Sequence, residues 1–285
     1  MAILTSIFQA IFQAITFILP VSESGHSAIF HDFAGRYSGE CSELTGLIHI
    51  GIAVGIIVAF YKVFIKLIFE FFSGWKDLFT KNLNIRKSTT SRRFMYFTLI
   101  PYVFAFLYLI PVDEGTFLYD LMHTVSYDGN LLSEGICFIV TAVLLYVASR
   151  KLNKDEKGTP LSLYMVLIIG AALFVTIPIA GLSFCAVVVA LAIIMGVNKK
   201  VAFRFFIALS APSLIIMGII EIVNCATYVT VISGIIAVVI SAVTAFFVSK
   251  LSLYIFSQNK VKYFSTYNLA VGVIATVVGI FELVL

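Results

Sequence analysis

The chain has 285 residues, of which 61% are hydrophobic and 12% charged, with a mean hydropathy of +1.06. A water-soluble protein of this length does not hide so much apolar surface, so the composition excludes that class and points to an integral membrane protein. A net charge of +4 is modest, and no nucleic-acid partner is expected.

Apolar segments near the ~20 residues needed to cross a bilayer recur along the whole chain, which predicts helices rather than a barrel and one membrane domain over residues 1–285. The first basic residue is Arg36, so the opening apolar run lacks the basic start of a cleavable signal and is expected to remain as structure. It ends in the stretch ILPVSESGHSAIF, residues 18–30, where Pro20, Ser22, Glu23, Ser24, Gly25 and His26 interrupt the hydrocarbon-like sequence. An acidic loop with Asp32, Glu40 and Glu43 follows.

Crossings are predicted near 44–71, 94–111 and 131–148, then 205–224, 226–248 and 266–285. The loop 72–93 carries Lys76, Lys81, Arg86, Lys87, Arg92 and Arg93 against Asp77, and 149–160 carries Arg150, Lys151, Lys154 and Lys157. Both are expected on the cytoplasmic side. Lys199, Lys200 and Arg204, and Lys250, Lys260 and Lys262, belong there as well. The loop 112–130, with Asp113, Glu114, Asp120 and Asp128 and no basic residue, is expected outside. Residues 161–197 are almost unbroken apolar sequence between two cytoplasmic loops, so they must enter and leave on one side. Pro178, Gly181 and Ser183 mark the turning point.

Each half, about 1–150 and about 158–285, therefore reads as one re-entrant helical hairpin plus three transmembrane helices. The halves are related by inverted topology, which predicts a site near the midplane where the broken helices meet. Cys41, Cys137, Cys185 and Cys225 stand singly, with no zinc or redox spacing.

A half-helix beginning after Pro20 would present Ser22 as its N-cap and the free N–H groups of Glu23 and Ser24, an arrangement suited to an anion such as phosphate. The plainer reading is that the serines satisfy a frayed helix end and Gly25 lets two helices approach. His26 lies four residues after Ser22, on the same helical face. It is a candidate to donate to a phosphate, accept a proton or take a phosphoryl group. His49, inside the first crossing, has the weaker case.

The run QAITFILPVSESGH resembles the first signature of the undecaprenyl-diphosphatase family, the UppP or BacA type of bacitracin-resistance protein, E-x-x-x-E-x-x-P-x-S-S-[ST]-G-H. IAGLSFC and the MGVNKKVAFRFF after it resemble the second, P-G-x-S-R-S, and its sequel. LIHIGIAVGIIVAFYK is similar to the helix between, where the family usually has glutamine at the place of His49. The resemblance implies an inverted repeat with two re-entrant hairpins. It also implies removal of the terminal phosphate of undecaprenyl diphosphate at the outer face of the bacterial cytoplasmic membrane, with a divalent metal assisting.

Pro20, Ser22, Ser24, Gly25, His26, Gly181 and Ser183 match the signatures. Gln13 and Phe17 stand where the pattern has glutamates, Glu23 replaces the second serine, and Ala180, Phe184 and Cys185 replace proline, arginine and serine. Arg204 stands at a downstream acidic position. Gln13 cannot hold Mg²⁺ or Ca²⁺ as a carboxylate does, Phe17 offers no oxygen, and the bidentate partner of a phosphoryl group is gone. The expectation is weak or absent hydrolysis with polyprenyl-phosphate binding retained at Gln13, Ser24, Gly25, Gly181 and Ser183. Glu23 is expected to rest on the half-helix N-terminus in the phosphate's place.

Three alternatives remain open. In one, catalysis is retained through His26, Glu23 and Ser22, with Glu23 as a metal ligand. The others are a non-enzymatic lipid-phosphate carrier and a structural partner in a wall-synthesis complex. A homo-oligomer is compatible with all of them.

Overall fold

A computed structural model of the protein describes residues 3–33, 43–80, 88–113, 116–126, 130–152, 158–225 and 228–284. Arg36, Glu40, Cys41, Lys81, Arg86, Lys87, Glu114, Asp128, Lys154 and Lys157 lie outside them. The described residues form twelve α-helices: α1 (Ile3–Ile18), α2 (Glu23–Phe33), α3 (Glu43–Ala59), α4 (Tyr61–Phe79), α5 (Thr90–Val103), α6 (Leu118–Ser126), α7 (Leu132–Leu152), α8 (Leu163–Thr176), α9 (Phe184–Ile194), α10 (Lys199–Val223), α11 (Val231–Ser257) and α12 (Val261–Val284). A 3₁₀ segment, Phe104–Leu109, extends α5, and a two-stranded antiparallel ribbon, β1 (Pro111–Asp113) with β2 (Thr116–Phe117), precedes α6. This is an all-α polytopic membrane protein.

Four helices, α7, α10, α11 and α12, are long and apolar enough to cross a bilayer, and they coincide with four of the six expected crossings. The other two differ from expectation. The run 44–71 is not one straight crossing: it breaks at Phe60 into α3 and α4, with a bend of 93°. The run 94–111 is α-helical only to Val103, two residues past Pro101, and then tightens into the 3₁₀ segment. A proline lacks the amide that the regular ladder requires there.

Both predicted breaks are present. α1 stops at Ile18 and α2 starts at Glu23, and α8 stops at Thr176 before α9 starts at Phe184. With 14 and 11 residues, α8 and α9 span only about 21 and 17 Å, each short of the ~30 Å hydrocarbon layer. The outer ends of this pair meet: Thr159 N–H donates to Gly196 O at 2.8 Å, and Thr159 bridges Val197.

Water cannot drive helices together within lipid, so close packing of small residues does so. On α11 the buried positions Ser233, Ala237, Ser241, Ala245 and Ser249 recur every fourth residue. They face α3 and α1. On α3 and α10, Gly46 and Gly218 lie against each other, and a Cβ on either would sit 2.7 Å from the other's carbonyl oxygen. α7 and α12 pack closely as well, tied by Ser265 Oγ to Ala142 O at 2.8 Å and Asn130 Nδ2 to Gly279 O at 2.9 Å.

Candidate functional site where two broken helices meet

The two breaks touch. A Cβ added to Gly25 would lie 2.7 Å from the Cα of Gly181 and 2.7 Å from the Phe138 ring. Ser22 Oγ donates to Leu182 O at 3.3 Å across the junction. α7 braces the junction: Thr141 Oγ1 donates to Gly181 O at 3.4 Å and accepts from Ser183 N–H at 3.3 Å. Asn268 of α12 donates through Nδ2 to Pro20 O at 2.9 Å. Residues 160 positions apart in sequence thus share one polar seam inside an apolar molecule.

Each half-helix begins with a serine cap. Ser22 Oγ accepts from Gly25 N–H at 3.2 Å, and Ser183 Oγ accepts from Ala186 N–H at 3.2 Å. These bonds satisfy donors that a helix start leaves unpaired. Ser22 does so in the left-handed backbone region, with φ of 65°, a conformation that costs a non-glycine residue about 1–3 kcal/mol and persists only where surrounding structure enforces it. Ser24 Oγ lies 3.4 Å from Ser22 Oγ, which puts two hydroxyls at the mouth of α2.

His26 is held on both nitrogens. Nδ1 lies 2.7 Å from Ser22 O and Nε2 lies 2.7 Å from the Tyr267 hydroxyl. A carbonyl only accepts, so Nδ1 carries the hydrogen and a neutral ring takes the tyrosine proton at Nε2. The ring stacks on Tyr267 with 2° between planes and meets the edges of Phe138 and Phe12. Its orientation is therefore set by four neighbours.

Glu23 takes a different direction from the one expected. Its Oε1 accepts from Ser27 Oγ at 3.2 Å, and its Oε2 faces His49 Nε2 at 4.0 Å. The cap on α2 is the Ser22 hydroxyl, and the Glu23 carboxylate reaches along the helix toward α3. On the far side of His49, Nδ1 donates to Glu221 Oε2 at 2.8 Å. His49 is buried, and its two carboxylate neighbours are largely so.

The Gly46–Gly218 approach explains this arrangement: each glycine stands three residues, or nearly one helical turn, before its partner in the pair. Glu221 was not anticipated from the sequence. The signal was available, because an acid inside an apolar span is costly and marks a partnered or functional position.

Two other signature positions depart from the family chemistry in a shared place. Phe17 and Phe184 stand where the pattern has glutamate and arginine, and they stack with ring centroids 5.9 Å apart and 22° between planes. Phe206 leans on both, at 6.4 and 6.1 Å. Gln13 is buried with its Oε1 unpartnered. Cys185 and Ala180 are fully buried, and Arg204 is exposed on the outside of α10.

The divalent cation that the resemblance implies needs hard anionic oxygens. One carboxylate position on α1 is an amide and the other is a phenyl ring inside an aromatic cluster, so this donor set does not fit. Among the described residues no group of three or more His, Cys, Asp or Glu side chains is arranged to hold a metal ion.

Fold and site together define a polytopic α-helical membrane protein with a polar seam between two interrupted helices. The family model for bacitracin resistance protein BacA matches residues 6–274, and the chain belongs to that family. It is 28% identical to an undecaprenyl-diphosphatase of Methanosphaera stadtmanae over 98% of each chain. It is 25% identical to one of Halothermothrix orenii over 99% of this chain and all of the relative. With one of Treponema denticola, identity is 29% over 94% of this chain and 95% of the relative.

Proposed function

We propose that the protein binds a polyprenyl phosphate of the undecaprenyl type at the junction of α1–α2 with α8–α9, and that its hydrolysis of the diphosphate is weak or absent. The observation that carries this reading is the Phe17–Phe184 stack. In the family pattern these positions carry opposite charges, a cation-binding carboxylate and a phosphoryl-binding guanidinium. Here they have changed together into a pair that packs on itself. Stabilising the charge that shifts during phosphoryl transfer is the largest contribution a protein makes to that reaction, and phenyl rings make none of it.

What remains suits recognition of an anion without its turnover. The seam offers the Ser22 and Ser24 hydroxyls, the capped start of α2 with its positive dipole end, and Ser183 on the opposing break. In this reading the chain is one membrane domain of two inverted halves, about 1–150 and about 158–285, each opening with a re-entrant hairpin. Support comes from the short half-helices, the serine cap at each break and the meeting of Thr159 with Gly196. The loop charges orient the lipid site toward the outer face of a bacterial cytoplasmic membrane.

A carrier of lipid phosphate is the second reading, favoured by the direct contact of the two breaks at Gly25 and Gly181, since broken helices meeting at depth are also a transporter device. The test is phosphate release from undecaprenyl diphosphate by purified protein, with and without Mg²⁺ or Ca²⁺, beside saturable binding of undecaprenyl phosphate. Binding without release supports the proposal. Metal-dependent turnover abolished by His26→Ala overturns it in favour of a retained enzyme. Neither binding nor release leaves a structural partner of wall synthesis.

A further inference from the structure

Helix α4 turns 93° away from α3, and α3 runs packed along the spanning helices α10 and α11. Three kinds of side chain divide its surface. Val63, Phe64, Leu67 and Gly74 face the protein. Lys62, Lys66, Glu70, Ser73 and Asp77, spaced three or four residues apart, form a polar stripe along its whole length. Between these lies an exposed apolar stripe, Tyr61, Ile65, Ile68, Phe72, Trp75 and Phe79. Phe69 beside it is 70% exposed.

The direction of the polar stripe decides the orientation. Over 15 residues it runs about 22 Å, so a crossing helix would draw charge through the entire hydrocarbon layer. A helix lying in the membrane plane puts the same stripe on the water side and its aromatic stripe in the lipid. Two contacts hold it there. The Lys250 ammonium of α11 binds Ala59 O, the carbonyl left at the end of α3, and lies 4.6 Å from the Phe60 ring centroid. Arg92, in the first turn of α5, binds Asp77, donates to Glu70 at 3.1 Å and reaches Ser73 at 2.5 Å. The clamp is made with the start of α5, consistent with α4 passing across the end of that helix.

We propose that α4 is an interfacial helix seated in the lipid headgroup layer, on the membrane face where the basic segment containing Arg92 lies. Its occupant is the bilayer. Val54 and Val58 at the end of α3 are exposed, as are Tyr61 and Ile65 at the start of α4, and Lys62, Lys66 and Lys76 are exposed on α4, where their ammonium groups reach lipid phosphates.

Trp75 is the single tryptophan of the chain and reports its own depth. The experiment reads its quenching by lipids brominated at shallow or deep acyl positions in proteoliposomes. The same reading is made on Trp75→Phe combined with Phe69→Trp, which moves the probe to the middle of α4. Trp75→Phe with Phe72→Trp supplies an independent second position.

An in-plane helix gives the strongest quenching from the shallow label at all three positions, with similar apparent depths. Deepest quenching at position 69 means that α4 crosses the bilayer and overturns the proposal. Weak quenching by either lipid label, with strong quenching by aqueous iodide, also overturns it by removing the lipid as occupant.

Discussion

Replacing Gly25 by alanine tests whether the two helix breaks meet. The new Cβ would lie 2.7 Å from Gly181 Cα and 2.7–2.8 Å from two atoms of the Phe138 ring, where ordinary carbon contacts lie near 3.5–4.0 Å. The ring can rotate, but backbone cannot withdraw without moving α2 from α9, so about 1 Å of separation must open. Overpacking of this kind costs about 1–3 kcal/mol. Gly181→Ala should cost more. Its φ is 91° and its Cβ would meet Glu134 O and Cys137 Cβ at 2.7 Å, which adds about 1–3 kcal/mol of backbone strain.

Opening the junction also stretches the Ser22–Leu182 bond, so lipid-phosphate binding should weaken together with stability. The measurement is thermal unfolding in detergent micelles, with binding of undecaprenyl phosphate followed on the same samples. If both variants stay within about 0.5 kcal/mol of the parent, the range of ordinary surface substitutions, the two breaks do not touch and the site as described does not exist.

Replacing His49 by alanine leaves Glu23 and Glu221 facing each other without the group between them, at a cost of about 1–3 kcal/mol. His49→Gln, which keeps a donor for Glu221, should recover part of that loss in the same unfolding assay. Tyr267→Phe removes the hydroxyl that holds His26 Nε2 and should cost about 0.6 kcal/mol, the usual size of such bonds between membrane helices. It should also broaden the His26 ring signals in NMR spectra. Glu23→Ser removes a negative charge beside the seam and should tighten lipid-phosphate binding about tenfold, ~1.4 kcal/mol, within the range of a like-charge interaction near a protein surface. Unchanged or weaker binding would show that Glu23 does not oppose the ligand.

The membrane class, the helical character, the four long crossings and the positions of both breaks were legible in the sequence, because hydropathy, proline and loop charge act over a few neighbouring residues. The departures from the family signatures were legible for the same reason. Their consequence was not legible. Only packing across more than 150 residues sets Phe17 on Phe184, Gly25 on Gly181 and His49 against Glu221, and such contacts leave no local pattern.

The bend at Phe60 makes the same point. The run from Val54 to Ile68 contains no proline, and its only glycine, Gly55, stays within α3, so the sequence reads as continuous helix. The bend is stabilised from elsewhere, by the Lys250 ammonium that takes the Ala59 carbonyl and the Phe203 ring that packs on Phe60. Local physical chemistry selected the helices and where they stop, whereas partners distant in sequence selected which side chains share the seam and where α4 turns away from α3.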